Sequence, residues 1–292
     1  MWLMKNWLTF IKERIPVVVY ALLVGGITSS SFVFGNIKIN IEEAPLFIIG
    51  FFGLFLCFAI LRMMDEVKDF EKDKVAHPDR PLPRGLLKVE QVLGMIKFIY
   101  IFMILQSIAL LIFKNIESGL CYLLITAWLG LMYKEFFIPK WLNERPLIYA
   151  ISHQILMLAV AAFPALLYNQ SNNYGTILAL GTTILGSFFT YEVCRKLDPK
   201  ADPILGTYLV TYGPFNTFTI VIGTSVVAWF GALQLGYFPL LASFQLLCVA
   251  SFLLIFFKPE KYKIVEGIAT LSLLIHLWCG PISLFISFKG GS

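Results

Sequence analysis

The sequence predicts an all-α membrane protein of nine transmembrane helices, arranged as two four-helix-like units plus one around a central cavity. Three observations carry that reading. Hydrophobic residues make up 58% of the 292 residues and charged residues 14%, and the mean hydropathy is +0.79, outside the range of soluble domains of this length. Apolar runs long enough to cross a hydrocarbon core of about 30 Å recur nine times. Lysine and arginine then sort by side, 20 of the 23 falling on one side of those runs, as a correct count of crossings requires.

The chain opens on residues 1–14, where Leu3, Trp7 and Phe10 share one helical side and Lys5 and Lys12 lie elsewhere. That pattern predicts an interfacial helix lying on the membrane surface. The apolar run that follows is of spanning length, unlike the short core of a signal peptide. The expected spans are 15–34, 44–61, 92–113, 119–137, 147–168, 174–190, 215–235, 237–257 and 264–288. The basic residues gather before the first span and in the loops after the second, fourth, sixth and eighth. Only Lys38, Lys114 and Lys289 fall on the opposite side. The expected topology puts the N-terminus inside and the C-terminus outside, in one polytopic domain over 1–292. Membership of a bacterial inner membrane is part of the same expectation. Cys57, Cys121, Cys194, Cys248 and Cys279 sit in or beside apolar runs with no ligand spacing and read as small core residues. His276 reads as a hydrogen-bonded interior residue.

Charge is concentrated in residues 61–85, LRMMDEVKDFEKDKVAHPDRPLPRG, where 12 of 25 residues are charged, against 41 in the whole chain. Acidic and basic residues are balanced there, so a basic lipid-binding patch is a poor description. Asp65, Asp69 and Asp73 fall at i, i+4 and i+8, one stripe on a helix. Like charges so placed repel by a few tenths of a kcal/mol per pair unless cations face them. Lys68 and Lys72 at i+3 would make the stripe an ion-paired helix end. A divalent metal would make it a binding site, and an oxygen-only ligand set favours Mg²⁺, with Mn²⁺ as its substitute, over zinc.

A second polar station, residues 191–213, leaves the sixth span on the same side and holds Glu192, Arg195, Lys196, Asp198, Lys200 and Asp202. Four helices separate the stations, so both have the same orientation, a weak parallel repeat. Ionisable groups at membrane ends are costly, which favours function. The plain alternatives are an i, i+4 ion pair between Glu192 and Lys196 and turns at Asp198-Pro199 and Asp202-Pro203. Pro203 disfavours helical geometry at Asp202, so Asp202 is the leading ligand and Glu192 and Asp198 compete for the second place.

The stretch DEVKDFEKDKVAHPDRPLPRG resembles the first aspartate-rich motif of the UbiA superfamily of intramembrane prenyltransferases. Asp69 and Asp73 match its two aspartates, and Arg80-Pro81 stands at the expected distance. Asp65 replaces the usual asparagine, and the second station departs from the family's second motif. The resemblance implies Mg²⁺-dependent transfer of a prenyl group from an allylic prenyl diphosphate to a lipophilic acceptor in the bilayer, with no nucleic-acid partner. By that resemblance Asp65, Asp69, Asp73, Asp198 and Asp202 hold metal. Arg62, Lys74, Arg80 and Lys196, with Arg14 behind them, meet the diphosphate. Tyr133, Lys134, His153 and Glu192 line the substrate pocket. A membrane terpene cyclase and a non-enzymatic transporter stay open as other readings of the same fold. The aromatic wall that an allylic cation needs is expected among the 27 Phe, 12 Tyr and 6 Trp, with no single ring assigned.

Overall fold

The computed structural model describes residues 2–37, 44–168, 173–202 and 206–290, with side chains omitted at Trp2, Leu3 and 287–290. Lys38, Pro203 and Ser292, on which parts of the topology and turn readings rest, lie outside the described residues, as do the side chains of Leu3 and Lys289. Among the described residues there are fourteen α-helices and no strands: α1 (Trp2–Arg14), α2 (Val17–Phe34), α3 (Ala44–Lys68), α4 (Phe70–Ala76), α5 (Val89–Phe113), α6 (Ile116–Tyr133), α7 (Pro139–Asn143), α8 (Pro146–Gln154), α9 (Leu156–Leu166), α10 (Tyr174–Cys194), α11 (Tyr208–Gln234), α12 (Phe238–Phe257), α13 (Tyr262–Leu277) and α14 (Cys279–Gly290). Eight spans are long and apolar enough to cross a membrane, α8 and α9 counting as one. A ninth forms if α13 and α14 are taken together.

That ninth span is not the straight run expected over 264–288. It bends by 66° between α13 and α14, just before Pro281, which cannot donate a backbone N–H. Ser30 of α2 repairs the break. Its hydroxyl donates to the Leu277 carbonyl at 2.6 Å and accepts from the Gly280 N–H at 2.9 Å, so the freed backbone groups stay paired in the apolar layer. Gly280 is required because a Cβ there would come within 2.6 Å of the Ser30 Cα.

The most enclosed helix is α10, with 72% of its core window buried against 28% for α5. Small residues allow this. A Cβ at Gly186 would run into the α11 backbone at Thr224 and Ala228, and one at Gly231 would run into Ala179 and Thr183. Close backbone approach of this kind is how helices associate where no hydrophobic effect drives them together. Buried hydroxyls along α10 are satisfied, Thr183 by the Ala179 carbonyl and Thr190 by Gly186 and Thr224.

Helix α1 differs from the interfacial helix expected. Phe10 is fully buried, and Trp7 packs edge-on against it at 5.6 Å, so the side carrying these two rings seats on the protein. Three polar links hold it there. Asn6 donates to the Leu86 carbonyl at 3.0 Å, Glu13 receives Arg84 at 2.8 and 2.9 Å, and Arg14 meets Glu66. Met4 and Leu8 are the exposed apolar side chains of α1.

Helix α3 positions the first station. Its 25 residues rise about 37 Å at 1.5 Å per residue, longer than a hydrocarbon core of about 30 Å. With Ala44 at one boundary, Asp65 to Lys68 lie at the opposite headgroup level.

Candidate active site

The backbone keeps the aspartate spacing but not the straight stripe. Asp69 leaves helical geometry between α3 and α4, with φ −87° and ψ 1°, while the Asp69 N–H still bonds the Asp65 carbonyl at 2.8 Å and the Asp73 N–H the Asp69 carbonyl at 2.7 Å. Asp65 and Asp69 therefore sit one turn apart, both exposed. Neither carboxylate has a hydrogen-bond or ion-pair partner among the described residues. Asp73 turns inward: it is 2% exposed, and Nη1 of Arg80 donates to both its oxygens at 2.6 Å. Arg80 is thus an anchor for the loop after α4 rather than an unengaged cation.

The structure redirects several other expected phosphate ligands. Glu66 is 2% exposed and receives Arg14 at 2.5 Å and Arg62 at 2.7 Å; Arg62 also donates to the Arg14 carbonyl at 3.1 Å. A buried carboxylate needs such pairing. The two arginines expected at the diphosphate instead lock the α1–α2 elbow to α3. Lys74 pairs with Glu71 at 2.8 Å and lies 4.2 Å above the Phe70 ring on the surface. Lys68 does not serve the aspartates either. Its ammonium meets the Tyr149 hydroxyl at 2.7 Å, Glu135 at 3.2 Å and the Met132 carbonyl at 3.3 Å, which uses all three of its donors.

At the second station Glu192 binds Arg195 at 2.5 Å and Lys196 at 2.6 Å. Glu192 is the chief cause of a raised Arg195 pKa, to which Asp65 also contributes. Arg195 and Lys196 each keep 42% of their side chains exposed, so unshared donors face outward. Asp198 is committed to a turn: it accepts from the Lys200 N–H at 2.9 Å and from the Tyr262 hydroxyl at 3.0 Å. Asp202 is exposed. Among the described residues no three of His, Cys, Asp and Glu gather closely enough to hold a metal ion, so the five-carboxylate set is not assembled as expected.

The two stations do face one another. Asp65 lies within electrostatic range of Asp69, Lys68, Arg195 and Lys196. Tyr20 of α2 lies within electrostatic range of both Asp65 and Arg195. Deeper in the bundle Phe58 of α3 stacks against Phe188 of α10, with ring centroids 6.1 Å apart, and Tyr20 adjoins Phe58 at 6.0 Å and Phe55 at 6.3 Å. Phe58 is two turns before Asp65, and Phe188 is one turn before Glu192. An aromatic wall therefore lies directly below the charged mouth.

On the α8 side, His153 stacks on Tyr149 at 4.1 Å and meets the edge of Phe136 at 6.1 Å. Its ring is within electrostatic range of Lys68, Glu192 and Lys196. Tyr133 is half-buried, while Lys134 is exposed with its ammonium 5.5 Å from the Tyr133 ring. Arg195 and Lys68 were legible in the sequence as charged members of the two stations, though not by their partners, whereas Tyr149 and the Tyr20–Phe58–Phe188 wall carried no local signal.

The donor set suits a hard divalent cation. Mg²⁺ is ordinarily held by one or two carboxylates, with waters and substrate phosphate oxygens completing its shell, and Asp65 and Asp69 could supply such a pair.

A model of the UbiA prenyltransferase family matches residues 18–274. No curated protein matches the chain. A solved structure, presented as giving structural and mechanistic insights into the biosynthesis of digeranylgeranylglyceryl phosphate synthase in membranes, superimposes with a TM-score of 0.59 at 17% identity. The match covers 94% of this chain and 99% of that one. The likeness shows a shared fold.

Proposed function

We propose a specific reaction for this chain, which belongs to the UbiA prenyltransferase family: transfer of a prenyl group from an allylic prenyl diphosphate to a lipophilic acceptor within the bilayer, releasing diphosphate. The observation that carries it is the electrostatic proximity of Asp65 to Arg195 and Lys196, above the Tyr20, Phe58 and Phe188 rings.

Asp65 and Asp69 would hold Mg²⁺, which neutralises charge building on the leaving diphosphate. Arg195 and Lys196, tethered through Glu192, present their outward donors to the phosphate oxygens. Glu192 keeps the two cations side by side, so their positions are set before substrate arrives. Heterolysis leaves positive charge on the allylic carbon. The faces of Tyr20, Phe58 and Phe188 stabilise that charge without attacking it, in a site with little water. Asp73 and Arg80 shape the loop that carries the first motif, and Glu66 with Arg14 and Arg62 fixes the end of α3. The 20-to-3 split of basic residues supports placing the mouth on the cytoplasmic face.

The test is incubation of purified protein with labelled prenyl diphosphates and Mg²⁺, with and without membrane-lipid extract, and mass spectrometry of the products. A prenylated lipid formed only with extract supports transfer. A cyclised hydrocarbon formed without extract would reassign the chain as a cyclase of the same fold.

A further inference from the structure

Of the carboxylates around the mouth, Glu66, Asp73, Glu135 and Glu192 are ion-paired, Asp198 is held in a turn, and Asp65 and Asp69 are the metal pair proposed above. His153 adds a nitrogen base. The Nδ1 of His153 lies 2.8 Å from the Tyr149 carbonyl and 3.1 Å from Ser152 Oγ, and that hydroxyl itself donates to the same carbonyl at 2.8 Å. A carbonyl oxygen can only accept, so Nδ1 carries the hydrogen and Nε2 carries the lone pair. The ring is held at a 16° angle to Tyr149 and edge-on to Phe136, which fixes where that lone pair points.

Two further facts distinguish this nitrogen. Nε2 of His153 has no hydrogen-bond partner among the described residues, yet it is not sealed from solvent as the equally unpartnered Nε2 of His276 is. It also lies within electrostatic range of both stations, of Lys68 at the end of α3 and of Glu192 and Lys196 at and just past the end of α10, while Tyr149 lies on its own helix.

We infer that His153 is the general base that takes the proton an acceptor loses on prenylation, an inference that rests on the prenyl-transfer reading. In that step the C1–O bond of the allylic diphosphate breaks and its electron pair leaves with diphosphate. The acceptor's oxygen or ring carbon bonds to C1, and the displaced proton passes to Nε2. The imidazolium then returns the proton to water at the mouth. The acceptor is therefore a nucleophile with a proton to give up, a hydroxyl or an electron-rich aromatic ring, and not a tertiary amine.

The test uses full-length protein in nanodiscs, geranylgeranyl diphosphate with Mg²⁺, and two acceptor probes, 4-octylphenol and dioleoylglycerol. His153→Asn keeps a side-chain N–H for the Tyr149 carbonyl but has no base, and His153→Gln guards against a local folding defect in the first variant. Both should lower transfer far more than acceptor-independent diphosphate release. Transfer kcat should fall about 100-fold, the acidic limb of its pH profile should vanish, and added imidazole should restore part of the rate. Wild-type transfer in either folded variant overturns the assignment, as does parallel loss of diphosphate release. Transfer to neither probe by a wild-type enzyme that releases diphosphate also overturns it. Absence of diphosphate release from the wild type is a different result, since it rejects the prenyl-transfer reading itself.

Discussion

Asp73 and Arg80 are seven residues apart and bind each other through one guanidinium nitrogen shared by both carboxylate oxygens. The carboxylate is buried while the guanidinium is 29% exposed. Removing Arg80 thus strands a buried charge, whereas removing Asp73 leaves a cation that water can reach. Arg80→Gln should cost about 2–3 kcal/mol, at or below the range for breaking a buried pair, and Asp73→Asn should cost less. The double variant should be no worse than Arg80→Gln alone. Thermal unfolding in one detergent measures all three, and strictly additive losses would count against the pairing.

Asp65→Asn and Asp69→Asn should each lower diphosphate release at least 100-fold, an effect on the order of removing one electrostatic stabiliser of a transition state. Melting temperature should hardly move, because both side chains are exposed and unpaired. Chelation by EDTA should abolish release and added Mg²⁺ restore it. Full turnover in EDTA would remove the metal from the mechanism.

Arg195→Gln should weaken prenyl diphosphate binding more than Lys74→Gln. A charge-assisted hydrogen bond contributes about 1.5–3 kcal/mol, which corresponds to roughly 10- to 150-fold in KM. Lys74, paired with Glu71 on the surface, should give a near-normal KM. Equal losses in the two variants would show that the diphosphate sits over α4 instead.

The link between α1 and the first loop should depend on pH. Arg84 donates to Glu13 and holds its carboxyl below the ordinary value of 4.5. A depressed folded value means the link stabilises above pH 4.5 and is lost as pH falls through the lowered value. Both side chains are more than a third exposed, so the effect stays below about 1 kcal/mol. Protection factors in α1, referred to the intrinsic exchange rate at each pH, should fall on acidification in the wild type and stay level over the same range in Glu13→Gln.

Gly280→Ala should destabilise the bundle more than Ser30→Ala. The first drives a methyl against the Ser30 backbone; the second leaves the Gly280 N–H and the Leu277 carbonyl unpaired, at about 1–3 kcal/mol. Comparable thermal shifts in the two variants would mean that the contact is looser than described.

The spans and the polar stations were legible because hydropathy and charge are local properties. Asp69 stood out by its spacing from Asp65 and Asp73, and Arg80 by the resemblance of its motif. The roles were not legible, because they depend on rotation about the helix axis and on partners far along the chain. Glu66, one residue past Asp65, turns about 100° away and captures Arg14 and Arg62, two cations that the resemblance placed at the diphosphate. Lys68 sits at i+3 from Asp65, yet its long side chain goes to Tyr149, 81 residues on. The aromatic wall joins Tyr20, Phe58 and Phe188 from three helices, and no window of sequence contains it.

The turn between α6 and α7 carries Glu135, Phe136 and Phe137 at φ of 48°, 52° and 61°. Three successive left-handed residues, none a glycine, cost about 1–2 kcal/mol each. The backbone alone would not choose this path. Its shape is imposed by what the side chains grip: Glu135 on Lys68, and Phe136 against Trp128 and His153. The segment behaves as a sprung clip whose load is borne by the ring stack around His153. Loosening either grip lets the coil relax, so point changes here should travel to the imidazole without touching it.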